Sequence, residues 1–111
     1  EASTKITPIE DGKVPYQLPL SIHGFTKLNA FCRTKDNANE VHQSVYTDGL
    51  ATVSVFIQKA SPGTAMPSAP LAHGAVMSKS EVQGTHLVTV LGEVPLQTLE
   101  LFLKSVKWKS Q

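Results

Sequence analysis

The chain has 111 residues, of which 41% are hydrophobic and 17% are charged, and its formal net charge at pH 7 is +1. This length suits one domain with one core, and the composition is globular rather than disordered. A charge near zero without a dense basic cluster predicts no nucleic-acid partner, and no apolar run approaches the roughly 20 residues that a membrane-spanning helix needs.

The first 22 residues contain three of the seven prolines, at Pro8, Pro15 and Pro19. Prolines at this density favour extended chain, and the apolar residues between them show no helical periodicity. We predict that 1–22 is a linker or extended N-terminal arm, with a short strand near 14–18. We predict that 23–111 is a small α+β binding domain, the C-terminal domain of a larger protein.

Residues 26–34 and 41–59 predict a three-stranded antiparallel meander, because apolar and polar residues alternate along them. In the first strand this alternation places Cys32 on the same face as Leu28 and Ala30. The second stretch is a hairpin whose two arms meet at Asp48-Gly49. This dipeptide is typical of a two-residue type I′ turn, in which glycine supplies a positive φ.

The rest of the chain predicts a proline-rich loop at 61–72, a second strand pair at 73–80 and 85–92, and one helix that begins near Pro95. One side of this helix carries apolar residues at helical spacing, namely Leu96, Leu99, Phe102, Leu103 and Val106. The predicted fold class is α+β, a two-layer sandwich. It has a mostly antiparallel sheet of about five strands with one C-terminal helix packed on one face.

The sequence shows no catalytic or metal-binding motif. The four histidines are far apart and have no cysteine at zinc spacing. The single cysteine, Cys32, excludes an internal disulfide and is interpreted as a small buried thiol. We therefore predict a protein that is not an enzyme, with no catalytic residues, metal or cofactor. The alternative is an enzyme whose site is assembled in space from a perturbed His–Ser or His–Asp pair.

One helix covers only one face of a sheet, so the other face is a candidate binding surface. Phe31 and Arg33 on one strand and Phe56 on another are predicted to share it. Tyr46, on the first arm of the hairpin, completes the predicted partner-binding residues. Aromatic residues and arginine are enriched at protein interfaces. A different strand register would instead place both phenylalanines in the core.

Four segments are similar to one known family. They are HGF at 23–25, VYTDGLATVSVFI at 45–57, GAVMSK at 74–79 and VTVLGEVPLQT at 88–98. In this order they resemble the C-terminal domain of the MucB/RseB regulators, which control the envelope-stress sigma factor, sigma-E or AlgU, from the periplasm. The resemblance runs from about residue 18 to residue 108. Cys32 and the proline-rich loop are outside the family pattern, which leaves contacts there open.

The resemblance implies a function. Family members carry a larger N-terminal domain before this one, and the whole protein binds the periplasmic part of a MucA/RseA-type anti-sigma factor and shields it from regulated proteolysis. Lipopolysaccharide or lipid acts as a signal through the full-length protein. The alternative is a small lipid- or ligand-binding domain in the periplasm. A deep apolar pocket would favour that alternative, whereas a flat patch would favour a protein partner.

Overall fold

The computed structural model describes residues 4–35, 39–60 and 71–109. In these ranges the chain forms ten strands and one α-helix, with a 3-10 turn at Asp11–Lys13. The strands are β1 (Thr4–Pro8), β2 (Tyr16–Gln17), β3 (Ser21–Ile22), β4 (Phe25–Lys35), β5 (Asn39–Thr47), β6 (Thr52–Lys59), β7 (Leu71–His73), β8 (Val76–Gln83), β9 (His86–Gly92) and β10 (Lys107–Trp108). The helix α1 is Leu96–Ser105.

Eight strands form one sheet in the order β1-β4-β5-β6-β9-β8-β7, with β3 paired to β4 beside β1. Its neighbouring strands are antiparallel. Strands β2 and β10 form a separate two-stranded sheet. The prediction of an antiparallel sheet with one packed helix is confirmed, but the predicted number of about five strands is wrong. The additional strands, β1, β3 and β7, are short, and their sequences lack the alternation that identifies a strand.

The core lies between the sheet and α1. Side chains alternate between the two faces of a strand, so β5, β6 and β9 direct one set towards the helix. This set consists of Tyr46, Val53, Val55, Ile57, Val88 and Val90, none of which is more than 2% exposed. The predicted helical stripe is buried against it, with Leu99, Phe102 and Leu103 at the centre. Phe102 contacts the rings of Phe25 and Tyr46 edge-on.

The predicted N-terminal arm is extended and contributes to both sheets. Strand β1 pairs with β4, and β2 pairs with β10. Three of its apolar side chains, Tyr16, Leu18 and Ile22, are at most 7% exposed and belong to the core cluster. The boundary proposed at residue 22 stays a prediction.

The predicted two-residue turn at Asp48-Gly49 is wrong. Strands β5 and β6 leave a four-residue loop, 48–51, between them. Gly49 has the predicted positive φ, +97°. Asp48, however, acts through its side chain, since its Oδ1 accepts hydrogen bonds from the backbone N–H groups of Ala51 (2.8 Å) and Leu50 (2.9 Å). These two bonds hold the pKa of Asp48 below its ordinary value.

A bulge in β4 changes the predicted faces of that strand. The register shifts between Lys27 and Asn29, which leaves Leu28 as an extra residue without a partner across the β4–β5 pair. Because of an extra residue, the strand residues before it and those after it alternate between the two sheet faces in opposite phase. Leu28 is 60% exposed, whereas Cys32 is buried, so the alternation predicted for Leu28, Ala30 and Cys32 is interrupted at Leu28.

Candidate functional site

The sheet face that points away from α1 is the candidate binding surface, and we call it the open face. Strand register places one row of side chains across its middle, in the order Phe31, Gln43, Phe56, Thr89 and Ser80. Directly paired residues share a face. The prediction that Phe31 and Phe56 lie on one face is therefore confirmed.

Two further rows flank this one. The first contains Arg33, Val41, Gln58, Leu87 and Val82, and the second contains Asn29, Val45, Ser54, Leu91 and Ser78. The valines and leucines in these rows are half-buried, as are both phenylalanines of the middle row. The open face thus combines partly exposed apolar and aromatic side chains with neutral polar ones. This mixture is typical of surfaces that bind another protein.

Arg33 supplies a positive charge at the edge of this surface. Its guanidinium carbon lies 5.4 Å from the centre of the Phe31 ring, a cation–π distance. The side chain is exposed, so the contact orients the guanidinium without removing it from solvent. Arginine held on an aromatic ring is well placed to donate to a carboxylate or carbonyl group of a partner.

Gln43 lies between the two phenylalanines in the middle row. Its side-chain Oε1 is buried and has no hydrogen-bond partner within the described ranges. A buried acceptor without a donor costs about 1–3 kcal/mol. A donor from a bound partner, together with a small shift of the neighbouring rings, would recover part of that cost.

Tyr46 is separated from the other three predicted residues. It is 0% exposed and lies beneath α1 on the opposite sheet face. Its hydroxyl group donates a hydrogen bond to the Pro19 carbonyl oxygen, and burial raises its pKa. The structure therefore brings Phe31, Arg33 and Phe56 together and places Tyr46 in the core. Tyr46 pairs with Val53, so the alternation of the hairpin was a signal that could have identified it as a core residue.

A cleft of about 360 Å³ lies at the 48–51 loop end of the open face. Its lining combines apolar residues such as Val76 and Leu91 with Thr52, Ser54 and Glu93. An acyl chain needs a deep and mostly apolar pocket. This cleft does not have that lining, and it gives no support to the lipid-binding alternative.

On the other side of the sheet, three potential metal ligands lie together. Cys32 pairs with His42 across β4 and β5, and Glu40 precedes His42 by two residues on the same face. One ligand atom from each lies within 4.8 Å of the other two. Sequence spacing did not reveal this cluster, because it depends on the pairing of two strands. The only signal was Glu40 and His42 at alternate positions of one strand.

His86 lies near this cluster and packs against Trp108, with ring centres 4.8 Å apart. Its pKa is lowered, first by burial and then by electrostatic repulsion, chiefly from Lys59. Trp108 in turn donates a 2.6 Å hydrogen bond from its indole nitrogen to Gln83 Oε1. These contacts attach the C-terminal strand β10 to the sheet.

Comparison with known proteins identifies one family, and the similar solved structures include two complexes of MucB with MucA. A model of the MucB/RseB C-terminal domain matches residues 10–107. A crystal structure of MucB in complex with MucA(peri) is 29% identical to this chain with a TM-score of 0.70, and the match covers 89% of this chain and 38% of that one. A complex structure of Pseudomonas aeruginosa MucA/MucB has the same identity and TM-score, with coverage of 88% and 36%.

The chain thus spans less than two-fifths of the length of either solved chain. Comparison with curated protein sequences found no significant match. Within the described part of the chain, no helix combines the length and the apolar character needed to cross a membrane.

Proposed function

The chain belongs to the MucB/RseB C-terminal domain family, and from this premise we propose that it binds the periplasmic part of a MucA/RseA-type anti-sigma factor in the periplasm. By binding, it helps to protect that partner from regulated proteolysis and so restrains the envelope-stress sigma factor. One observation carries the proposal: the chain shares its fold with MucB, which was solved in complex with MucA(peri). Both the family and its structural neighbours are regulatory proteins rather than enzymes.

The open face is the contact surface in this proposal. Phe31 and Phe56 are partly exposed in its middle row, and Arg33 lies beside Phe31. Aromatic and arginine side chains of this kind provide most of the binding energy at protein interfaces. Gln43 Oε1 adds an acceptor for which the described residues provide no donor. A segment of the anti-sigma factor that lies across this face would cover the apolar rows on either side.

The protection follows from occupancy. A segment ordered on the open face is withheld from the protease, and its release makes it a substrate again. A signal can control this only if the whole protein binds the anti-sigma factor less tightly when the signal is bound. Lipopolysaccharide or lipid would act in this way through the full-length protein.

Calorimetric titration with the purified periplasmic region of a MucA/RseA-type protein tests the proposal. We expect binding in the micromolar range or tighter, and we expect Phe56→Ala to weaken it by about tenfold or more, as at an interface hot spot. Leu101→Ala is the matched control, because Leu101 is an apolar side chain exposed by 39% on α1, away from the open face. It should leave the affinity unchanged.

The stability of the same variants separates an interface from a core position. Loss of binding by Phe56→Ala with little loss of unfolding free energy supports the open face, whereas a loss of roughly 3–5 kcal/mol would mark Phe56 as a core residue. If the isolated chain does not bind, the titration is repeated with the two-domain protein. Absence of binding in both would contradict the proposed function.

A further inference from the structure

The cluster of Cys32, Glu40 and His42 combines three ligand types at one end of the β4–β5 pair. Cys32 and His42 are directly paired and therefore share a face, and Glu40 lies two residues along on that face. The Nε2 atom of His42 is 3.5 Å from Oε1 of Glu40. A sulfur, an imidazole nitrogen and a carboxylate oxygen thus converge, with the ligand atoms within 4.8 Å of one another.

This donor set matches zinc. Zinc binds cysteine sulfur at about 2.3 Å and histidine nitrogen or carboxylate oxygen at about 2.0–2.2 Å, in tetrahedral geometry. In such a tetrahedron the ligand atoms are about 3.3–3.8 Å apart. The present cluster, with ligand atoms up to 4.8 Å apart, needs a contraction of at most about 1.5 Å to reach that geometry. The His42 Nε2 and Glu40 Oε1 atoms, 3.5 Å apart, already have such a spacing, and rotation of the exposed Glu40 side chain can move its carboxylate towards Cys32 Sγ.

Tyr16 orients the histidine. Its hydroxyl group is 2.7 Å from Nδ1 of His42, on the side of the ring opposite to Nε2. When Nδ1–H donates to this hydroxyl, the lone pair is on Nε2, which faces Glu40. Metal-binding histidines usually make such a hydrogen bond through their other nitrogen. Tyr16 is itself buried and packs against Trp108, so the ring orientation is supported by the core.

We propose that Cys32, Glu40 and His42 bind a zinc ion, with Tyr16 as the positioning residue and a water molecule as the fourth ligand. Binding converts the Cys32 thiol to a thiolate and releases its proton to solvent, so the affinity rises with pH. The ion joins β4 to β5 and, through His42 and Tyr16, to β2. The site is independent of the open face, which lies on the other side of the sheet.

The test uses the whole chain without an affinity tag. Zinc titration by calorimetry should show one ion per chain at micromolar or tighter affinity. Cobalt(II), a spectroscopic substitute for zinc, should give the near-ultraviolet charge-transfer band of a thiolate–cobalt bond and the visible bands of a tetrahedral site. Cys32→Ser should remove the charge-transfer band and weaken zinc binding by about tenfold or more.

Variants of the other residues extend the test. His42→Gln and Glu40→Gln should each weaken zinc binding, and Tyr16→Phe should weaken it by about 10–100-fold while the chain remains folded by circular dichroism. His73→Gln, which changes an exposed histidine on β7, the edge strand remote from β4 and β5, is the matched control and should bind zinc as the parent does. The proposal is overturned if the parent shows no saturable binding, if cobalt gives no thiolate band, or if Cys32→Ser retains the parent's affinity.

Discussion

The hydroxyl group of Tyr46 donates a 2.6 Å hydrogen bond to the carbonyl oxygen of Pro19. Tyr46 lies in the central hairpin and is fully buried, whereas Pro19 belongs to the proline-rich segment before the meander. A further bond, from the Lys27 ammonium group in β4 to the carbonyl oxygen of Leu18, joins the same segment to another strand of the sheet. The proline-rich segment is therefore attached to the sheet by hydrogen bonds as well as by its buried side chains.

Tyr46→Phe should lower the unfolding free energy by about 1–2 kcal/mol, because the Pro19 carbonyl group loses its donor while the ring remains packed. Urea unfolding followed by circular dichroism measures this change. Gln97→Ala, an exposed position on α1, is the control and should stay within about 0.5 kcal/mol of the parent. An unchanged stability in Tyr46→Phe would show that water replaces the hydroxyl group without cost.

A chain that begins at residue 23 should lose its cooperative unfolding transition. It lacks Tyr16, Leu18 and Ile22, and deletion of a large buried side chain costs about 2–5 kcal/mol each. The sum is comparable with the 5–15 kcal/mol stability of a typical domain. Calorimetric melting is the measurement. A sharp transition in the shortened chain would instead support the predicted boundary at residue 22 and a detachable arm.

The elements predicted from the sequence are those with a long regular pattern. The alternation in β6 and the helical stripe of α1 each continue over eight or more residues, and both are confirmed. The two-residue strands β2, β3 and β10 cannot show a pattern of their own, because they form by pairing with segments already in place. The bulge at Leu28 was also not predictable, since it depends on how β4 aligns with β5 rather than on β4 alone.

The candidate sites follow the same rule. Phe31 and Phe56 were placed together correctly because each lies opposite to the apolar side of its own strand. Cys32 and His42 meet only through the register of the β4–β5 pair, which the polar residues between those strands do not specify. The open face could therefore be predicted from the sequence, whereas the metal-ligand cluster could not.

Gly92→Ala should destabilise the domain by about 1–3 kcal/mol through overpacking. Gly92 is buried and pairs with Val53, and a Cβ atom there would lie 2.6 Å from the backbone oxygen of Thr52 and 3.1 Å from Cγ2 of Val53. The backbone of β6 cannot move away from β9 without weakening the hydrogen bonds between these two strands. Gly12→Ala is the matched control, because a Cβ at that position meets nothing within 4 Å. Equal unfolding free energies for the two variants would contradict this close approach of β6 and β9.

The stabilisation that Asp48 gives to the 48–51 loop should be lost in acid. Two backbone N–H groups, those of Ala51 and Leu50, stabilise its charged form and lower its pKa in the folded state from the ordinary 3.8. The unfolded chain then takes up the proton first as the pH falls. The stabilisation is therefore complete above the ordinary value and is lost as the pH decreases through the lowered one.

Asp48→Asn and Asp48→Ala test this sign. Neither variant titrates at this position, so the difference in stability between the two should not change with pH. Asparagine keeps an oxygen acceptor for both N–H groups, and its variant should be the more stable one. The unfolding free energy of the parent should exceed that of Asp48→Asn by the largest amount at neutral pH. This difference should shrink as the pH falls below the ordinary pKa of Asp48. Urea unfolding at a series of pH values measures this difference in unfolding free energy. A difference that grows in acid would show that the protonated form of Asp48 stabilises the loop more than the charged form does.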